Sequence, residues 1–119
     1  MTQLEFIEQI IKEKEAVILD ANDKIWSYAE LPYEETRSSA LLCSILESEG
    51  FTVETGVAEI PTAFVARYVV GTGKPVMGIL GEFDALATLS QKAGCTVKDP
   101  VQNGGSGHGC GHCCLGTGA

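Results

Sequence analysis

The last 17 residues of this 119-residue chain constrain it more than any other segment. Residues 103–119 hold seven of the 14 glycines, three of the five cysteines and both histidines. The stretch 90–109, which overlaps the start of this segment, combines Gly, Pro, Asn, Asp and Ser at high density with little periodicity. A loop of this length in a compact domain is usually functional or disordered. This concentration of Gly, Cys and His therefore predicts that any chemistry of the chain lies near residues 103–119.

Metal binding is the chemistry that this segment favours. His108, Cys110 and His112 occupy alternate positions separated by glycines. In an extended segment such side chains point the same way, and glycines permit tight backbone geometry. Imidazole and thiolate ligands suit zinc and similar divalent ions. The paired spacing of a closed structural zinc site is absent, which leaves an open metal site or a glycine-rich loop with incidental His and Cys. No Gly-Lys-Ser/Thr follows, which disfavours a phosphate-binding loop.

Composition excludes several other classes. The net charge of −8 argues against a nucleic-acid partner, since phosphate binding needs a surplus of Lys and Arg. No run of 18 apolar residues is present, so no membrane span is expected. An odd number of cysteines without a secretory signal argues against a disulfide framework and favours a reducing cytoplasm.

Periodicity predicts helices first and strands later. Apolar spacing predicts a helix over residues 3–28 with a weak point at Asn22-Asp23, then a helix opened by Pro32 and ended by Gly50. Strands are predicted at 51–57, 62–70 and 76–80, and the turn at 71–75 predicts that the last two form a hairpin. The short apolar run 76–80 suggests a strand covered on both faces. The order of elements favours an α/β sandwich.

A pair of carboxylates follows the last predicted strand. Glu82 and Asp84 lie at positions i and i+2, where the strand ends. Catalytic groups collect at such strand ends in α/β sheets. The pair can orient a histidine or bind a metal, or it can be a solvated acidic strand end.

Together these segments resemble the dinuclear metallo-amidohydrolases of the aminoacylase and carboxypeptidase superfamily, with the aminobenzoyl-glutamate utilisation protein B type as the most similar branch. The resemblance extends in the family's order over almost the whole chain. It rests on the motifs Gly81-Glu82-Phe83-Asp84-Ala85-Leu86, Leu89-Ser90-Gln91, Gly107-His108-Gly109-Cys110-Gly111-His112 and Leu115-Gly116.

The resemblance implies a fold and a site. Residues 1–119 would be the N-terminal part of a zinc-peptidase-like three-layer α/β/α catalytic domain, without the lid and dimerisation domain through which relatives form homodimers. Two Zn²⁺ or Mn²⁺ ions would activate water to cleave an amide bond in a small aminoacyl, aminobenzoyl-glutamate or dipeptide-like substrate. Cys110 and His112 match metal ligands, His108 matches a further motif position, and Asp84 matches the acid that orients the ligands.

The sequence also departs from the family pattern. Cys113 and Cys114 replace the usual Asn or Asp and an aliphatic residue, Ala87 replaces a Pro, and Glu82 stands where carboxypeptidase-like relatives carry a ligand His. The family's general base is expected beyond residue 119, so we expect this chain alone to be inactive. A non-catalytic small metal-binding module and a structural remnant are the alternatives.

Overall fold

The computed structural model describes all residues from 1 to 119. The elements in chain order are α1 (Gln3–Tyr28), α2 (Thr36–Ser48), β1 (Thr52–Thr55), a short 3₁₀ helix (Val57–Glu59), β2 (Phe64–Arg67) and α3 (His112–Gly118). This mixture of helices and a small sheet is compatible with the predicted α/β class. The three-layer catalytic domain stays a prediction.

Helix α1 has the predicted bounds and is continuous through Asn22-Asp23. Thr2 caps its first turn in a reciprocal capping box with Glu5, and Ala29 ends it in a left-handed conformation. The Asn22 side chain donates a hydrogen bond to Asp23 at 3.2 Å, so the two polar residues contact each other. Local polar character therefore does not interrupt a helix whose buried residues, Ala21 and Ile25, flank this point.

Helix α2 begins four residues later than Pro32 predicts. Tyr33 has a positive φ of 68°, and Glu34 donates a backbone hydrogen bond to Leu31 at 2.9 Å, so the chain makes a turn first. The C-terminal prediction is confirmed, because Gly50 follows the C-cap Glu49 with a φ of 91°. A left-handed residue at this position favours glycine.

The sheet contains two antiparallel strands. Thr52 pairs with Arg67 and Thr55 with Phe64, so β1 and β2 form the hairpin. Residues 76–80 form no backbone hydrogen bond, so the predicted hairpin between 62–70 and 76–80 is wrong. An apolar run becomes a buried strand only when another strand pairs with it, and the second edge of β2 has no strand partner.

The core is small. Only 10 of 119 residues are buried, and the central cluster comprises Ile25 of α1, Leu42 of α2 and Cys113 of α3. Leu41, Phe64 and Phe83 pack against this cluster. It thus joins α3 to α1 and fixes the start of α3, where His112 lies. None of the helices has the length and apolar character needed to cross a membrane.

Candidate functional site

Two anchors position the segment that carries Glu82 and Asp84. The Ala85 backbone N–H donates to the Glu30 carbonyl at 2.7 Å, directly after Asp84. Leu86 and Gly107 exchange two backbone hydrogen bonds at 3.0 Å, which form an isolated antiparallel bridge. The bridge joins the acidic segment to the glycine-rich loop. Side chains from the two predicted functional segments are thereby brought together.

The imidazole of His112 lies between the two carboxylates. Its Nδ1 is 2.7 Å from Asp84 Oδ1, and its Nε2 is 2.9 Å from Glu82 Oε2. The side chains of His112 and Asp84 are 17% and 23% exposed, whereas Glu82 is 64% exposed. Since water screens an exposed charge, Asp84 is the stronger partner of the two.

This arrangement leaves one imidazole nitrogen facing the Glu82 carboxylate. A neutral imidazole has one N–H and one lone pair. If Nδ1–H donates to Asp84, the Nε2 lone pair faces a Glu82 oxygen, which is also an acceptor. Two facing acceptors at 2.9 Å repel each other unless a proton lies between them or the Glu82 side chain turns away. Imidazole and carboxylate are donor types that bind divalent ions, but no three such side chains are grouped closely enough here to hold one.

The predicted convergence of His108, Cys110 and His112 does not occur. Gly111 donates a backbone hydrogen bond to His108 at 3.2 Å and has a positive φ of 82°, so the segment makes a turn. Alternate side chains share one side only in extended backbone. Cys110 is exposed, and no three His, Cys, Asp or Glu side chains are grouped closely enough to hold a metal ion.

His108 instead contacts helix α1. Its Nε2 lies 3.0 Å from the Ile25 carbonyl oxygen. A carbonyl only accepts, so Nε2 carries the proton and Nδ1 of the neutral ring is unprotonated. Burial lowers the pKa of His108, and the hydrogen bond to Ile25 only partly opposes this. The buried Nδ1 has no hydrogen-bond partner.

A cleft of about 630 Å³ adjoins the His112 site. More than half of its lining residues are hydrophobic, and α1, α2 and β2 contribute several of them, including Ile18, Leu42 and Phe64. Glu82, Asp84 and His112 supply polar groups to the same cleft. A substrate with an apolar part and a polar bond could therefore meet both kinds of surface.

Sequence reasoning missed two residues that hold the site in place. Glu30 anchors Ala85 through its carbonyl, and the Ser106 hydroxyl donates to the Ala29 carbonyl. Ser106 and Ala29 are 77 positions apart, so no local pattern reveals the contact. The dense run of turn-forming residues around Ser106 was the one available signal that this loop packs against something.

Comparison with known proteins supports the motif-based resemblance. Over 114 residues the chain is 49% identical to a p-aminobenzoyl-glutamate hydrolase subunit of Escherichia coli K12, covering 96% of this chain and 23% of that protein. It is 30% identical over 112 residues to thermostable carboxypeptidases 1 and 2 of Saccharolobus solfataricus, covering 94% of this chain and 28% of each. The chain thus spans about a quarter of the relatives that it matches.

No protein-family model matches the chain. The full-chain matches nevertheless agree with the family that the Gly81–Leu86 and Gly107–His112 motifs indicate. They confirm that the chain is a relative of the E. coli p-aminobenzoyl-glutamate hydrolase subunit and, more distantly, of the carboxypeptidases.

Proposed function

We propose that this sequence contributes to a hydrolase that cleaves an amide bond with metal-activated water. The substrate would be an aminoacyl, aminobenzoyl-glutamate or dipeptide-like molecule. The observation that carries the proposal is the contact of His112 with both Asp84 and Glu82. The names of the relatives, one hydrolase subunit and two carboxypeptidases, support the hydrolase class.

Asp84 has the role of positioning residue in this proposal. By accepting the Nδ1 proton it fixes both the tautomer and the orientation of the His112 ring. The Nε2 lone pair then faces Glu82. Because Glu82 is mostly exposed, its carboxylate can turn away at little cost or remain as a second acceptor for a cation.

We propose Zn²⁺ or Mn²⁺ as the cofactor, two ions in the active enzyme, with Cys110 and His112 as ligands and His108 as a further candidate. A bound divalent ion supplies Lewis-acid polarisation of the scissile carbonyl and activation of water. The exposed Cys110 thiol lies two residues before His112 along the chain. Further donors are needed, since no three are grouped here.

The proposed setting is a reducing cytoplasm and a homodimeric enzyme acting on a small molecule. Five free cysteines suit a reducing compartment. The net charge of −8 supports the exclusion of nucleic acid as a partner.

A chimera tests the proposal. The matched segment of the E. coli hydrolase subunit is replaced by this chain, the protein is reloaded with Zn²⁺ or Mn²⁺, and hydrolysis of p-aminobenzoyl-glutamate is measured. We expect activity in the chimera, loss of activity with His112→Ala, and retained activity with Cys95→Ser as the matched control. A His112→Ala chimera that hydrolyses as fast as its parent would refute the role of this site.

The non-catalytic metal-binding module has less support. A self-contained metal module must draw all its ligands from this chain, and the structure groups no three of them, whereas the hydrolase proposal also has the support of the relatives' names. Stoichiometric zinc retention by the isolated chain, with loss of structure on chelation, would favour the module over the hydrolase.

A further inference from the structure

Cys113 and Cys114 form a thiol pair that the proposed hydrolytic site does not use. They lie in the first turn of α3, and their Sγ atoms are 4.0 Å apart. Cys113 is buried against Ile25 and Leu42, whereas Cys114 is exposed. The Cys114 thiol donates to Asn22 Oδ1 of α1 at 3.2 Å, which holds the thiol on the side of α3 that faces α1.

A direct disulfide between these two residues is disfavoured. Cα atoms of neighbouring residues lie about 3.8 Å apart across a trans peptide, below the roughly 4.4–6.8 Å range of ordinary disulfides. Both residues also have helical backbone within α3. Closing the bond would therefore require the first turn of α3 to open.

A single bridging atom fits the pair much better. Two thiolates on one tetrahedral centre, each at about 2.3 Å, leave their sulfurs about 3.8 Å apart. A pyramidal trivalent centre has narrower angles and draws its sulfurs somewhat closer, so the observed separation of 4.0 Å shortens by rotation of the exposed Cys114 side chain. Sulfur ligands also select soft ions over hard ones. We propose that Cys113 and Cys114 form a bidentate dithiol site for a soft, thiophilic centre such as trivalent arsenic.

The different exposure of the two thiols sets the order of binding. Cys114, open to solvent, makes the first bond, and Cys113 completes the chelate from the core side. The Cys114 thiol leaves Asn22 as it binds. Helix α3 stays closed throughout, so the site is compatible with the native packing of α3 on α1.

Phenylarsine oxide is a suitable probe. Its arsenic–oxygen bond is replaced by two arsenic–sulfur bonds, the two thiol hydrogens leave with the oxygen as water, and arsenic stays trivalent. The reagent does not chelate imidazoles or carboxylates. The result is therefore independent of whether His112 and Asp84 serve a metal hydrolase.

The experiment measures the retained phenylarsenic group by mass spectrometry after gel filtration of the folded chain. We expect one group per chain, an unchanged helical circular dichroism spectrum, and loss of retention in Cys114→Ser. The controls Cys110→Ser and Cys95→Ser should retain the group. Cys113→Ser should also lose it, but this substitution is in the core, so the exposed Cys114→Ser is the decisive variant.

Three results would overturn the dithiol site. One is retention by Cys114→Ser, and another is loss of retention in Cys110→Ser. The third is uptake that occurs only in denaturant or with loss of helical signal, because the native sulfur separation would then not be what binds the probe.

Discussion

Asp84 Oδ1 lies 2.7 Å from His112 Nδ1, although 28 positions separate the two residues. The local segments do not fix this contact by themselves, because little regular secondary structure precedes either residue in the chain. The Ala85 contact with Glu30 fixes one segment, and the Leu86–Gly107 bridge connects it to the other. The orientation of the imidazole thus depends on backbone contacts that flank it.

Replacing Asp84 tests its positioning role. In the reloaded chimera, Asp84→Ala should lower Zn²⁺ affinity by about 10- to 100-fold, the usual effect of removing a carboxylate that orients a ligand histidine. Isothermal titration calorimetry gives the affinity. Asp99→Ala is the matched control, because Asp99 pairs with Lys92 on the surface at 2.8 Å. Equal affinities in the two variants would contradict the role of Asp84.

Glu30 anchors the candidate site through its backbone carbonyl and stabilises the fold through its carboxylate. The contribution of the carboxylate to the free energy of unfolding should depend on pH. The Glu30 carboxylate accepts the backbone N–H groups of Arg37 and Ser38 at 2.9 and 2.8 Å, and the Ser38 hydroxyl at 2.7 Å. Burial alone would raise the pKa of Glu30, but together these hydrogen bonds outweigh it and lower the pKa below its usual 4.5. A lowered folded-state pKa means that the stabilisation is full above pH 4.5 and is lost as pH falls through the folded value.

We therefore expect Glu30→Gln to reduce the free energy of unfolding at pH 7 by about 1.5–3 kcal/mol, as for hydrogen bonds to a charged group. The difference from wild type should shrink below pH 4.5, and urea unfolding at several pH values measures it. Glu54→Gln is the control, since Glu54 forms an exposed pair with Arg67. A deficit in Glu30→Gln that is constant with pH would exclude the ionised carboxylate as its cause.

Local sequence signals predicted the helices better than the sheet. Apolar periodicity gave the bounds of α1, and Gly50 correctly marked the end of α2, because caps and amphipathic faces are short-range properties. The strand at 76–80 was wrong because an apolar run does not specify its pairing partner. The antiparallel register of β1 with β2 is a long-range property that the β-forming residues alone left open.

The candidate site shows the same division between features that local sequence indicates and features that depend on the fold. Spacing of Glu82 and Asp84 left open whether the pair orients a histidine, binds a metal or is a solvated acidic strand end, and the structure places His112 in contact with both carboxylates. Spacing of His108, Cys110 and His112 suggested convergence, but the turn from His108 to Gly111 and the left-handed backbone at Gly111 keep the segment from being extended. Alternation is informative only where the backbone stays extended, and glycine-rich segments are where that assumption fails most easily.

Gly107 should tolerate no side chain. A Cβ there would overlap the carbonyl oxygen of Leu89, which is backbone and cannot rotate away. Gly107→Ala should therefore strain the bridge to Leu86 and lower the free energy of unfolding by about 1–3 kcal/mol, as overpacking does. Gly78→Ala is the matched control, because no atom lies within 4 Å of its added Cβ. Equal urea midpoints would show that the loop adapts freely.

The exposed apolar segment 76–80 should drive self-association of the isolated chain. Its backbone makes no hydrogen bonds, and its four large side chains are between 75% and 92% exposed: Val76, Met77, Ile79 and Leu80. An extended apolar segment with unpaired backbone groups is a template for intermolecular pairing. The double substitution Val76→Lys with Ile79→Lys should shift sedimentation toward the monomer, because two charges disfavour burial against a second copy.

A matched double substitution separates this local effect from net charge. Val97→Lys with Val101→Lys also adds two positive charges at exposed valines outside the segment. Both variants bring the net charge of −8 closer to zero, which by itself promotes association. Dissociation in the first variant alone therefore identifies residues 76–80 as the contact surface. If both variants associate as the parent chain does, the contact surface lies elsewhere, and the exposed apolar face of α1 that includes Ile7 and Ile11 becomes the next candidate.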